Sequence, residues 1–150
     1  MKVFNFRLET LLHLREIARN KALGNYAKAI NLRQEKEKAL QESRSFLQRL
    51  QLHIGQKRMD SFSGSSEESF DLSVKTAKEK IIDAHKNLQQ SLQAEQAKKR
   101  IYLKADSEYK SLLKLKEKQM EEHVRTESLK EERELEDIIG GRFVFNNISN

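Results

Sequence analysis

Four histidines, several paired carboxylates and two short basic runs are the side chains of this sequence with chemistry to offer. His13, His53, His85 and His123 have no histidine partner at i, i+4, and the chain has no cysteine to complete a zinc site. No metal is therefore expected. Glu121–Glu122 and Glu131–Glu132 pair carboxylates, but they sit among lysines and arginines on what must be a solvated face. General acid–base work needs a perturbed pKa, and a solvated face does not provide one. The five glycines are scattered, so neither a phosphate loop nor a nucleophile elbow can be assembled. No catalytic residue, no enzymatic activity and no cofactor are expected. Lys57–Arg58 and Lys98–Lys99–Arg100 have charge for phosphates, yet they are short, interleaved with acids and without stacking aromatics. Nucleic acid is not an expected partner.

The elements that carry these residues are long helices. The 150-residue chain has no proline, and Lys, Glu, Gln, Leu, Ala and Arg dominate. Proline removes a donor and clashes with the preceding turn, so its absence permits uninterrupted helix. Charged residues make up 35% of the chain, too many for a thick globular core, so the composition is that of a coiled coil. Lack of cysteine suits a reducing cytosol. The start, MKVFNFRLET, has no signal-peptide core, and no apolar run approaches the roughly 20 residues of a membrane span. A soluble protein is expected.

One break stands out. Asp60 to Ser69, DSFSGSSEES, is rich in turn-formers and contains Gly64. Gly140–Gly141 reads as a helix stop. The expectation is a single coiled-coil hairpin over 1–150. It has a helix over about 6–59, a tip loop over about 60–70, a helix over about 71–139 capped by Ser69 or Asp71, and a flexible tail over 140–150. Each helix would be roughly 80 to 100 Å long at a rise of 1.5 Å per residue.

Periodicity says which faces meet. Val74, Ala77, Ile81, Ala84, Leu88, Tyr102, Ala105, Tyr109 and Leu112 alternate by three and four over two runs and form one stripe. Leu12, Tyr26, Leu40, Leu47 and Ile54 share a heptad line in the first half, with Leu23 and Ile30 beside it. Folding at the tip sets Ile54 against Val74, Leu47 against Ile81, Leu40 against Leu88 and Tyr26 against Tyr102. The same register brings Arg33 to Glu95 where the apolar pattern lapses on both arms, and Arg19 to the ring of Tyr109. A solvated ion pair adds little stability, so the Arg33–Glu95 layer is assigned to register. The second helix then overhangs the first. Val124, Leu135, Ile138 and Ile139 are left without an intramolecular partner, followed by the apolar cluster Phe143, Val144 and Phe145. Unpaired apolar surface at a chain end is expected to dock on another protein.

The start of the chain, FNFRLETLLHLREIARNKA, resembles the N-terminal signature of the flagellar export protein family FliJ. The residues that carry it are Phe4, Phe6, Leu8, Leu11, Leu12, Leu14, Arg15 and Glu16. The close KEERELEDIIGGRF is similar to that family's charged stretch ending in Leu-acid-acid-Ile. The resemblance implies a non-enzymatic, central-stalk-like hairpin of a bacterial flagellar type III export apparatus, required for motility. By that likeness its termini enter a hexameric export ATPase and promote its assembly and activity. The tip-side half engages a membrane export-gate protein, and the hairpin also handles export chaperones. The implied location is the cytoplasm, at the inner face of the cell membrane. The ATPase-binding residues implied are Leu8, Leu11, Leu12, Arg15, Leu135, Ile138 and Ile139. The export-gate set is Phe46, Leu50, Ile81, Ala84 and Leu88, with no aromatic between Ile81 and Tyr102. The alternatives are the stalk of a virulence injectisome, a nucleic-acid-binding helical hairpin and a dimerising coiled coil.

Overall fold

A computed structural model describes residues 1–60 and 64–149. Two helices account for almost all of them: α1, Glu9–Met59, and α2, Gly64–Ser149, which pack against each other as an all-α hairpin. No strand occurs among the described residues. Glu9 opens α1 and Lys57 and Arg58 close it, which places charge of the stabilising sign at each end of the helix dipole. A turn precedes α1, the Glu9 amide donating to the Phe6 carbonyl at 3.1 Å, so helix begins three residues later than periodicity suggests.

Both ends of α2 lie outside the expected bounds. It begins at Gly64, so Ser69 and Asp71 are inside the helix instead of capping it. Glu67 falls in the first turn, where the dipole favours an acid, and it pairs with Arg58 at the end of α1. Ser69 uses its carbonyl to accept from Ser73 Oγ at 3.0 Å. The part of the expected tip at 61–63 lies outside the described residues. At the other end α2 runs through Gly140–Gly141 to Ser149, and 140–149 is helix where a flexible tail was expected. Neither glycine has a positive φ. A helical glycine costs about 1 kcal/mol relative to alanine, and no proline follows to enforce the stop.

The chain forms two compact units, each built from a piece of both helices. Unit 2 is Asn20–Leu103. Its register is the one expected from periodicity, with opposed residue numbers summing to 128. Tyr26 stacks on Tyr102 at 6.1 Å between centroids, and Arg33 Nε donates to Glu95 Oε2 at 2.8 Å. Leu40, Ile54 and Ala77 are buried, and Val74, Leu47, Ile81 and Leu88 are half-buried. The second seam line of α1 differs from expectation. Ala22 is 6% exposed whereas Leu23 is 44% exposed. The seam steps by three and then four, Arg19, Ala22, Tyr26, Ala29, Arg33, so Leu23 falls on the flank and small residues take the inner line. Ala77, at 2% the least exposed of the buried hydrophobic residues, plays the same part on α2. Ser91 is buried too, its hydroxyl satisfied by the Leu88 carbonyl at 2.8 Å.

Unit 1 is Met1–Arg19 with Lys104–Asn150. The Arg19 guanidinium lies 4.3 Å from the Tyr109 ring centroid, as the register requires. Arg15 Nη1 meets Glu108 Oε2 at 2.7 Å, and Lys116 Nζ meets Glu9 Oε2 at 2.9 Å. Residues 1–8 then continue along α2 without helix. Phe6 is buried, the Phe4 ring lies 5.5 Å from that of His123, and His123 Nε2 donates to the Lys2 carbonyl at 2.8 Å. The Met1 amino group approaches Glu131 Oε1 at 3.1 Å. The first turns of the expected overhang are thus covered by the N-terminal segment. Beyond them, residues 129–148 are exposed on every face.

Candidate functional site

The terminal set of candidate residues occupies two places within unit 1. Leu8 and Leu12 are on the covered side, Leu12 only 6% exposed, and Arg15 is held by Glu108. Leu11 is on the outer side. Leu135, Ile138 and Ile139 are all more than half exposed on α2. They are not brought together with the first group. Glu9 is level with Lys116, so Leu135 lies about 28 Å further along the helix. What α2 presents there is a stripe. Leu135, Ile138, Ile139 and Phe143 fall at i, i+3, i+4 and i+8, one face of a helix that Arg142 shares at i+7, edged by Glu134 on one side and Glu136 on the other.

The tip-side set divides differently, within unit 2. Ile81, Ala84 and Leu88 are half-buried in the seam. Phe46 is on the flank, 48% exposed, and borders a shallow groove of about 330 Å³ with Ala39, Glu42, Ser43, Ala77 and Lys80. Leu50 and Phe46 share a neighbouring hollow with Leu72 and Thr76. A third groove, about 310 Å³, lies further along the unit between Ala29 and Leu32 of α1 and Ala94 of α2, with Lys28 and Lys98 at its rims. These flanks lie outside the seam positions that the apolar period marks. The signal was present as a heptad line beside the seam: Asn25, Leu32, Ala39 and Phe46. The Arg15–Glu108 and Lys116–Glu9 pairs were also unforeseen, because long side chains reach diagonally and the apolar pattern does not encode them.

Electrostatics are organised around one layer. Arg33 accepts restraint from two carboxylates, Glu95 across the seam and Glu37 one turn on, at 2.8 and 3.0 Å. Its pKa is raised above the ordinary value, first by the Glu95 hydrogen bond and then by that of Glu37. A raised pKa on a base stabilises the fold below the unfolded value and is lost only on titrating through the folded one. For arginine that lies far above physiological pH, so Arg33 itself adds no pH dependence there. No cluster of three or more His, Asp or Glu with metal-binding geometry occurs among the described residues. No described helix is long and apolar enough to cross a membrane.

Two packed helices with shallow flanks and an exposed terminal stripe define a helical-hairpin protein whose surfaces suit contact with other proteins. The family model for the flagellar FliJ protein matches residues 4–145, and the chain belongs to that family. Membership implies a stalk-type role in flagellar protein export. No curated protein and no solved structure gives a significant match.

Proposed function

We propose that this protein is the non-enzymatic stalk that joins the flagellar export ATPase to the membrane export gate. Its terminal residues enter the ATPase hexamer and promote its assembly and turnover, and its tip-side half meets the gate protein and receives export chaperones. It works at the cytoplasmic face of the inner membrane. One observation carries the reading: Leu135, Ile138, Ile139 and Phe143 make an apolar stripe on the part of α2 that neither α1 nor residues 1–8 cover. Such a stripe costs free energy in water and is relieved by a groove or pore that takes a helix. Leu11 adds exposed apolar surface nearer the start, while Leu8, Leu12 and Arg15 hold that end in shape. At the gate, Phe46 and Leu50 offer side chains from the flank, and Ile81, Ala84 and Leu88 set the seam beneath them.

The test is to mix the protein with its cognate export ATPase and measure hexamer formation and ATP turnover. Stimulation should persist in Arg33→Ala and disappear on truncation after Lys130. Undiminished stimulation by the truncated chain would remove the proposal. For the gate, Phe46→Ala should weaken capture of the gate protein more than Ala84→Ser does.

A further inference from the structure

We propose that the exposed C-terminal stripe of one copy docks in the flank groove at Leu32 of a second copy. The two surfaces are complementary in charge, and both are apolar between their charged edges. The groove is lined by Asn25, Lys28, Ala29 and Leu32 of α1 and by Ala94 and Lys98 of α2, so each helix contributes one cation to it. Neither lysine forms an ion pair among the described residues. The surrounding stretches, 20–41 and 87–103, hold 8 Lys/Arg against 3 Asp/Glu, which is +5.

The stripe is the converse. Residues 131–143, which carry it, hold 5 Asp/Glu against 2 Lys/Arg, which is −3. Leu135, Ile138 and Ile139 are apolar, with Glu134 on one edge and Glu136 on the other, so an acid is available for each lysine rim. Neither acid has an ion pair among the described residues. An amphipathic helix laid in an apolar groove, with opposite charges along both edges, is a recurrent mode of helix recognition. Charge complementarity at the rim sets which way it lies and speeds the encounter. A second copy supplies the required helix without any further partner.

The contact would cover Ile138 and Ile139, so self-association and any other use of that stripe exclude each other. An idle pool of the protein would then keep its own apolar end out of water. The inference does not depend on the ATPase assignment, and its test contains no ATPase.

The chain has no cysteine, so single-cysteine variants report the contact directly. A Leu32→Cys chain is mixed with an Ile139→Cys chain and oxidised. An Arg44→Cys chain, exposed on the other flank, replaces the first as control. All sites are exposed, and circular dichroism confirms that helix is retained. The mixed disulfide should form about tenfold more with Leu32→Cys than with Arg44→Cys in about 50 mM salt, and fall away in about 500 mM. Adding Lys28→Glu and Lys98→Glu to the groove chain should abolish it, and Glu134→Lys with Glu136→Lys in the stripe chain should restore it. Equal cross-linking at Arg44→Cys, indifference to salt, or failure of the paired charge reversals would overturn the inference. So would sedimentation of the unmodified chain as a monomer at about 200 μM in low salt.

Discussion

Units 1 and 2 share one architecture and differ in charge. Unit 2 holds 16 Lys/Arg and 10 Asp/Glu, a balance of +6, while unit 1 holds 13 of each. The whole net charge of the chain therefore belongs to Asn20–Leu103. The units differ again in how they treat apolar surface. Unit 2 buries Leu40 and Ile54 and keeps Leu52, Leu72 and Ile82 exposed on a helix pair; unit 1 buries Phe6 and Leu12 but carries Leu135, Ile138 and Ile139 on a stretch of α2 exposed on every face. Unit 2 is held by mutual burial of two helices. In unit 1 residues 129–148 of α2 are exposed, and apolar surface of that kind suits contact with another molecule.

Leu40→Ala should produce the largest effect. Leu40 is 6% exposed, and truncating a buried leucine costs about 2 to 4 kcal/mol, toward the low end in so thin a seam. The matched change Leu135→Ala should move the thermal melt by no more than about 0.5 kcal/mol. Circular dichroism melts of the two variants decide it, and equal losses would erase the contrast between the units. Next comes Tyr102→Ala, which removes a stacked ring as well as its buried area. A loss of about 1 to 2 kcal/mol is expected by denaturant titration.

Gly141→Ala should act in the opposite direction. Nothing lies within 4 Å of the added Cβ, so helix at the end of α2 gains about 1 kcal/mol. Amide exchange at 138–148 should slow while unit 2 is unchanged, and faster exchange would contradict the continuous helix. The smallest effect is expected at the charged layer. Arg33→Ala and Glu95→Ala should each lower the melt slightly, with a measurable coupling in the double-mutant cycle. Additive losses would leave the pair with no role in register. Spin labels at 47 and 81 complement that result: they should remain close in wild-type sequence and broaden in distance when the charged layer is removed.

Much of this protein was legible before any coordinates. Tyr26 with Tyr102, Arg33 with Glu95 and Arg19 with Tyr109 are all opposed as the periodicity demanded. They could be foreseen because a coiled coil is nearly one-dimensional: one turn position and one seam specify every level. The ends were less legible. Gly64, Gly140 and Gly141 look like punctuation, yet all three are helical, because a cost near 1 kcal/mol is small beside the continuity of a long proline-free helix. The candidate surfaces were legible as types and not as places. Phe46 and Leu50 were singled out, but the flank hollows that they border are formed by side chains from both helices.

Sequence alone thus determined the helices, their antiparallel register and the apolar character of the C-terminal face, since each follows from local propensity and a period of three and four. Only the tertiary structure decided which of two adjacent residues faces inward, Ala22 over Leu23, and that residues 1–8 pass along α2 beyond His123 to Glu131. Those outcomes depend on how closely two helices approach and on where an irregular segment finds its hydrogen bonds. Neither quantity is written in the spacing of one strand of sequence.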